Sequence, residues 1–490
     1  MVDFYTGLIL ILATLLVAFG LSVFFARRYS LALASMCATG IMIYVSLPSE
    51  YFVVALPVLA LVTIGGMLWI RLPLSGRFPV DDLGFLYSLV IILYGAYPLI
   101  SFLANGLSAT ERSDYRLARN MLSPGIMAEI GGMHAVYLFA FATGYLITRH
   151  GRQAQLPRTV EQGNRIAWVA LVLIVVIVGL RAIIESVFGI TQVEYGKAPQ
   201  YFSLPLVVRQ VYLNTQLMLL PLKLAALIAL FNDYRRNGKL IVLFFAVFIL
   251  PVLLRFGERH EFVVLCLVTA LLFHDRVRKL SVVEFGILGA VLLAVFLVFG
   301  ELRGGKRDVQ VLGGNEFEAC FSTVADIFVS RAAGLLPAAP PQVYLADFLA
   351  IIPQQILPFE KITGSEWYLS HFAPDLIELG QGYAFGVLSE SIIGLGYFEI
   401  FFKGLVIGVF FAKIVAWYRR RGSRWWVAAV YFFICATCFR TFRSSTFELI
   451  RSIVYGVLPP FVVVGWVIRW TKRAGDETRN RAPDTMTGGH

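Results

Sequence analysis

Apolar runs of about 20 residues recur along this chain from Tyr5 to Trp470, separated by short polar joints. Each run is long enough to cross a bilayer as a helix. In hydrocarbon, every backbone amide must be satisfied within the protein, so the spanning options reduce to helices and closed barrels. Runs of this length are helical. The fold class that follows is an all-α polytopic membrane protein, and a soluble globular domain is excluded. Composition agrees, with 58% hydrophobic residues against 15% charged and a mean hydropathy of +0.75. The net charge of +11 gathers in alternate loops, so it reports topology and not nucleic-acid binding.

We read about thirteen spans, near 5–26, 30–47, 51–70, 83–104, 126–148, 166–188, 207–231, 240–256, 261–274, 282–302, 389–418, 425–442 and 447–470. The first is read as a retained span, because Met1–Gly7 lacks a basic leader region. Arg27-Arg28, Arg71 with Arg77, Arg149 to Arg165, Arg235 to Lys239, Arg276 to Lys279, Arg419 to Arg421 and Arg469 to Arg473 fall in alternate joints. Basic loops face the cytoplasm, which sets the N-terminus outside and the C-terminus inside. The organisation expected is ten spans over 1–302, a large periplasmic loop over 303–388, three spans over 389–473, and a polar tail over 474–490. Inside the loop, Phe317–Leu336 has helical periodicity, Pro340-Pro341 breaks it, and Tyr344–Ile352 is a second amphipathic piece. Both are too short to span, so they are expected on the membrane surface or capping a cavity. Five cysteines form no bridging framework and no metal-ligand spacing.

A second set of arginines breaks the charge rule. Arg181, Arg209, Arg255, Arg259, Arg303, Arg307, Arg440, Arg443 and Arg451 sit at the outer ends of spans. A charge beside hydrocarbon is costly and usually has a task. Arginines gathered on one face suit an anion, best a phosphate-bearing one. In Arg255-Phe256-Gly257-Glu258-Arg259-His260-Glu261 the two arginines are four apart and share a helical face, with Glu258 and Glu261 placed to neutralise them. The alternative is a tight turn whose charges pair among themselves. Arg440 to Arg451 joins the last two spans, and its Ser/Thr stretch can cap the last helix and complete an anion site. Arg440 and Arg443 are three apart, as are Glu448 and Arg451, so each pair shares a helical face, and the alternative there is an Arg–Glu structural lock between helices. Glu301 to Asp308 opens the large loop with Gly304-Gly305, which allows close backbone approach. Glu390 lies at a membrane edge, where it suits a base, a sugar contact, or a carboxylate held by a helix dipole. His371 lies near Glu366, Trp367, Tyr368 and Asp375, a mixture that suits sugar stacking and hydrogen bonding, or simply a solvated loop. No P-loop, dinucleotide fingerprint or HExxH occurs, so neither nucleotide, cofactor nor metal is indicated.

Over residues 240–470 this order of motifs resembles the polysaccharide repeat-unit polymerases of the Wzy type, which include the O-antigen and enterobacterial common antigen polymerases. The resemblance rests on several features in sequence. These are Gly257-Glu258-Arg259, the basic stretch Arg303 to Arg307, a long outer loop holding Ile351-Ile352-Pro353-Gln354-Gln355-Ile356-Leu357-Pro358, the glycines from Gly386 to Gly396, and Arg440, Arg443 and Arg451 near the end. Arg303 with Gly314 matches the Arg-to-Gly spacing described for some such polymerases, while Arg181 and Arg209 do not.

The resemblance implies a metal-independent glycosyltransferase of the bacterial inner membrane with a periplasmic active face. Its partners would be an undecaprenyl-pyrophosphate-linked glycan donor and a lipid-linked repeat unit as acceptor, with room for a chain-length regulator and none for nucleic acid. Carried onto this chain, the catalytic residues would be Arg259, Arg303, Glu390 and His371. Arg255, Arg307, Arg440, Arg443 and Arg451 would bind substrate. The rival readings are an O-antigen ligase with the same donor, a lipid-linked oligosaccharide flippase or transporter, and a structural membrane subunit.

Overall fold

The computed structural model describes residues 49–72, 82–105, 122–149, 163–190, 204–249, 259–281, 283–291, 316–353, 356–359, 361–372, 374 and 384–480. The described residues are helical with no β-strand. In chain order the helices are α1 (Ser49–Arg71), α2 (Leu83–Asn105), α3 (Pro124–Thr148), α4 (Gly163–Val187), α5 (Leu206–Phe231), α6 (Tyr234–Phe244) and α7 (Arg259–Arg276). Then come α8 (Glu316–Ala332), α9 (Pro341–Tyr344), α10 (Ala346–Leu349), α11 (Gly364–Phe372), α12 (Val387–Ile393), α13 (Tyr397–Arg421), α14 (Trp425–Ser444), α15 (Thr446–Arg451) and α16 (Leu458–Asn480). Eight stretches among them are long and apolar enough to cross a membrane, the last running from Thr446 through α15 into α16. The chain is therefore an all-α polytopic membrane protein. The spans expected at 5–26 and 30–47 lie outside the described residues, as do parts of those at 240–256 and 282–302, while the one expected at 261–274 is described as α7 and is not among the eight.

Close backbone approach sets the centre of the bundle. Gly404 and Gly408 of α13 form a small-xxx-small face that packs on α3, and a Cβ on either would run into the carbonyls of Tyr137 and Phe141. Gly144 of α3 reciprocates against the backbone of Leu405. Around this seam an aromatic core closes. The Tyr87 and Tyr137 hydroxyls meet at 2.7 Å, and the Phe411 and Phe141 rings each lie 4.9 Å from Tyr87. Phe442 packs 5.6 Å from Tyr94 and 5.7 Å from Tyr137.

Two expectations are corrected. The periodic segment at 317–336, expected on the membrane surface or capping a cavity, is internal from Glu318 to Ser330 and exposed only at its end. As α8 it enters the bundle, with Phe321, Val324, Ala325 and Ile327 fully buried and the Phe321 ring stacked on His134 at 5.5 Å. Its polar face is satisfied internally. Thr323 donates to the Ala384 carbonyl at 2.7 Å, and Asp326 accepts from the Tyr368 hydroxyl at 2.9 Å. The span expected to start at 389 starts instead at Tyr397. Gly396, at φ +65°, turns the chain in a conformation that favours glycine and separates α12 from α13.

Candidate functional site: a cation-lined cavity at one end of the bundle

The charges divide between the two ends. At the C-terminal end of α13, buried Asp82 accepts from the Tyr145 hydroxyl at 2.5 Å and the Gly84 amide at 3.0 Å. It also pairs with Arg149 at 3.2 Å and Arg419 at 3.3 Å. Nearby, Tyr418 donates to Asp275 at 3.0 Å. Arg149 and Arg419 belong to the basic joints expected in the cytoplasm. Of the outer-end set, Arg209 lies at the opposite end of α5, Arg440 and Arg443 at the opposite end of α14, and Arg451 in α15 just beyond.

There a cavity of about 1050 Å³ opens between the first turn of α5, the stretch 353–366 and the junction of α14 with α15. Arg209, Lys361 and Arg451 line it, with Glu366 and Glu448 as the acidic members. Each acid is already engaged. Glu366 accepts from the Thr363 amide at 2.8 Å, while its own amide donates to the Thr363 hydroxyl at 3.2 Å, a capping box that starts α11. Glu448 pairs with Arg451 at 3.1 Å within α15, a contact inside one helix and not the lock between helices that the sequence offered. Lys361 donates to the Ile352 carbonyl, and burial together with the positive charge of Arg451 pushes its amine down. Arg209 makes no side-chain hydrogen bond or ion pair among the described residues.

The wall is strained where α14 meets α15. Ser445 sits at φ 92°, ψ 162°, and is the one non-glycine residue of positive φ among those described. Such backbone costs about 1–3 kcal/mol and gathers at functional sites. The Ser/Thr capping expected here does not occur, because Ser445 makes no side-chain cap and Thr446 is engaged elsewhere. The Thr446 hydroxyl lies 2.6 Å from Asp347 and 3.3 Å from Glu390.

Glu390 therefore stands behind the wall and not on it. It is buried on α12, outside the candidate spans, and accepts from Lys403 at 3.0 Å. Lys403 also holds Glu399 at 2.8 Å. Burial, with Asp347 adding and Lys403 opposing, pushes the Glu390 carboxyl up to about 7. The hydroxyl of Thr446 has one proton to give. Asp347 is its closer acceptor.

The other expected residues separate. Arg440 is half-buried in the last turns of α14, within electrostatic reach of Glu448, Arg443 and Arg451, and has no hydrogen bond or ion pair among the described residues. Arg443 is partly buried one turn on, where its carbonyl lies 3.8 Å from the Cys320 thiol of α8. Arg255, Arg303, Arg307 and Asp375 lie outside the described residues, and Arg259 is placed only as the first residue of α7. Glu261, expected to neutralise Arg255 and Arg259, pairs with Lys223 of α5 at 2.5 Å. His371 is exposed on α11, bonded to the Trp367 carbonyl at 2.8 Å, and is absent from the cavity lining. Trp367 and Tyr368 are buried, so neither offers a face for sugar stacking. Arg181 stacks over Tyr212 at 4.2 Å and serves packing.

Sequence reasoning did not single out Lys361, Lys403, Asp347, Thr446 or the strain at Ser445. Arg209 carried a visible signal, an arginine at the outer start of a span. The chain matches no protein-family model, no curated protein and no solved structure at a significant level.

Proposed function

We propose that the chain polymerises lipid-linked oligosaccharides as a metal-independent glycosyltransferase, with the cation-lined cavity receiving the pyrophosphate of an undecaprenyl-linked glycan. In this reading the chain has about thirteen spans in the bacterial inner membrane, with the cavity on the periplasmic side. The observation that carries it is the meeting of Arg209, Lys361 and Arg451 in one cavity of about 1050 Å³. That volume is at the upper end for small-molecule sites and leaves room for sugars beside a pyrophosphate.

The chemistry asks for such a site. An acceptor hydroxyl attacks the anomeric carbon of the donor, a new glycosidic bond forms, and the bond to the pyrophosphate breaks with its electron pair leaving on the phosphate. Fixed guanidinium groups near low dielectric stabilise that developing charge and need no reorganisation as it forms. Arg209 and Arg451 take this role in the lining, with Arg440 adding field from behind. The proton lost by the attacking hydroxyl passes to the departing pyrophosphate, since Glu390 stands behind the wall and does not line the cavity.

The test is complementation of a deletion strain with Arg209→Ala, Arg440→Ala and Arg451→Ala, each checked for normal membrane abundance. Loss of one charged hydrogen-bonding group should cut long-chain glycan by roughly 10- to 100-fold and leave the single-repeat product. Bare core in the deletion strain would assign a ligase instead. A wild-type ladder in all three variants would remove the cavity from the reaction.

A further inference from the structure

A second cavity, of about 980 Å³, lies along α13, α14 and α16. It is a different place from the cationic one, because it starts at the opposite ends of these helices. Its walls are apolar and aromatic. Trp417 packs on Trp426 at 5.1 Å, Trp425 packs on Phe461 at 5.1 Å, and Trp466 is two-thirds exposed. Two cations stand at its mouth, Arg424 and Arg469, both exposed and neither with a side-chain partner among the described residues.

We propose that this groove binds an anionic phospholipid, with one acyl chain along the aromatic wall and the headgroup phosphate between Arg424 and Arg469. Length admits an acyl chain. The lining on α14 runs from Trp425 to Ile434, roughly 14 Å of helix, and on the last span from Ile453 to Arg469, roughly 24 Å. Half the hydrocarbon thickness of a bilayer is about 15 Å, so the groove is long enough for one whole acyl chain. Charge supports the headgroup, since paired basic residues beside an interfacial aromatic belt are how membrane proteins select anionic lipids. The opening is also maintained by sequence. Gly465 lines the groove in mid-helix, where glycine costs about 1 kcal/mol against alanine, and a Cβ there would meet nothing within 4 Å. Among the described residues nothing in the packing of α16 asks for a glycine at that point, whereas a chain lying in the groove does.

Full-length protein purified in detergent, titrated with phosphatidylglycerol or phosphatidylcholine of identical chains and read by native mass spectrometry, tests this. Wild type should retain phosphatidylglycerol about tenfold better. Arg424→Ala with Arg469→Ala should bring the two lipids level. Gly465→Leu, which fills open space without disturbing α16, should lower retention of both. Equal retention of the two lipids by wild type would overturn the headgroup assignment. Unchanged retention by Gly465→Leu would show that the groove is covered by another part of this chain and is not a lipid site.

Discussion

Asp82 shows how one buried carboxylate can organise an end of a membrane protein. It pairs with Arg149 and Arg419 and accepts from Tyr145 and Gly84, so the ends of α3 and α13 converge on the start of α2. Removing one partner of a buried pair leaves uncompensated charge, which costs about 3–5 kcal/mol. Asp82→Asn should therefore lower the melting temperature sharply in detergent, while Arg278→Ala, an exposed pair with Glu284, should leave it nearly unchanged. Glu390 gives a second case, with a sign that can be worked out. Its carboxyl keeps its proton up to about 7, against an ordinary value of 4.5. Between these pH values the folded chain binds more protons than the unfolded chain, so this group's contribution to stability falls as pH rises through the window and is level above it. Glu390→Gln keeps the neutral shape and should remove that slope, melting higher than wild type at pH 8 and matching it near pH 4. An unchanged slope would place the proton on another group. The sequence exposed Glu390 as an unusual carboxylate at a membrane edge, but its partners Lys403, Asp347 and Thr446 come from three other elements that no local spacing connects.

At the scale of elements, the eight candidate spans were legible because length and hydropathy decide them locally. The exceptions have a common cause. The helix α8 has 17 residues, roughly 26 Å, and carries Thr323, Asp326 and Ser330 along it. By length and polarity it reads as a surface element. It is internal because each polar group finds a partner at the core, at Ala384, Tyr368 and its own helix. The break before Tyr397 was equally hidden, since Gly394 and Gly396 inside an apolar run look like ordinary membrane glycines. The seam between α3 and α13 follows from Gly404 and Gly408, where added side-chain volume has nowhere to go. Gly408→Leu should destabilise the bundle by about 1–3 kcal/mol or prevent its assembly. Gly465→Leu, a similar substitution on α16 in open space, should not. Equal melting of the two variants would argue against the tight seam.

Over the whole molecule the two classes of basic residue end up apart. Arg149 and Arg419 close one end, while Arg209, Lys361 and Arg451 line the cavity at the other. The alternating charge pattern carried that segregation in one dimension. The convergence of α5, the 353–366 stretch and the α14–α15 junction is tertiary, and it drew in Arg209 and Lys361 where the motifs pointed to His371. If the basic joints face the cytoplasm, the cavity faces outward, and this orientation can be tested without knowing the substrate. In a cysteine-free version of the chain, Glu366→Cys at the cavity rim should react with a membrane-impermeant maleimide on intact spheroplasts. Arg424→Cys, at the mouth of the lipid groove, should react only after the membrane is opened. Labelling of both from one side would contradict the separation of the two ends. Reversed labelling would keep that separation but put the cavity in the cytoplasm, beyond the reach of a donor whose glycan is extended on the outer face.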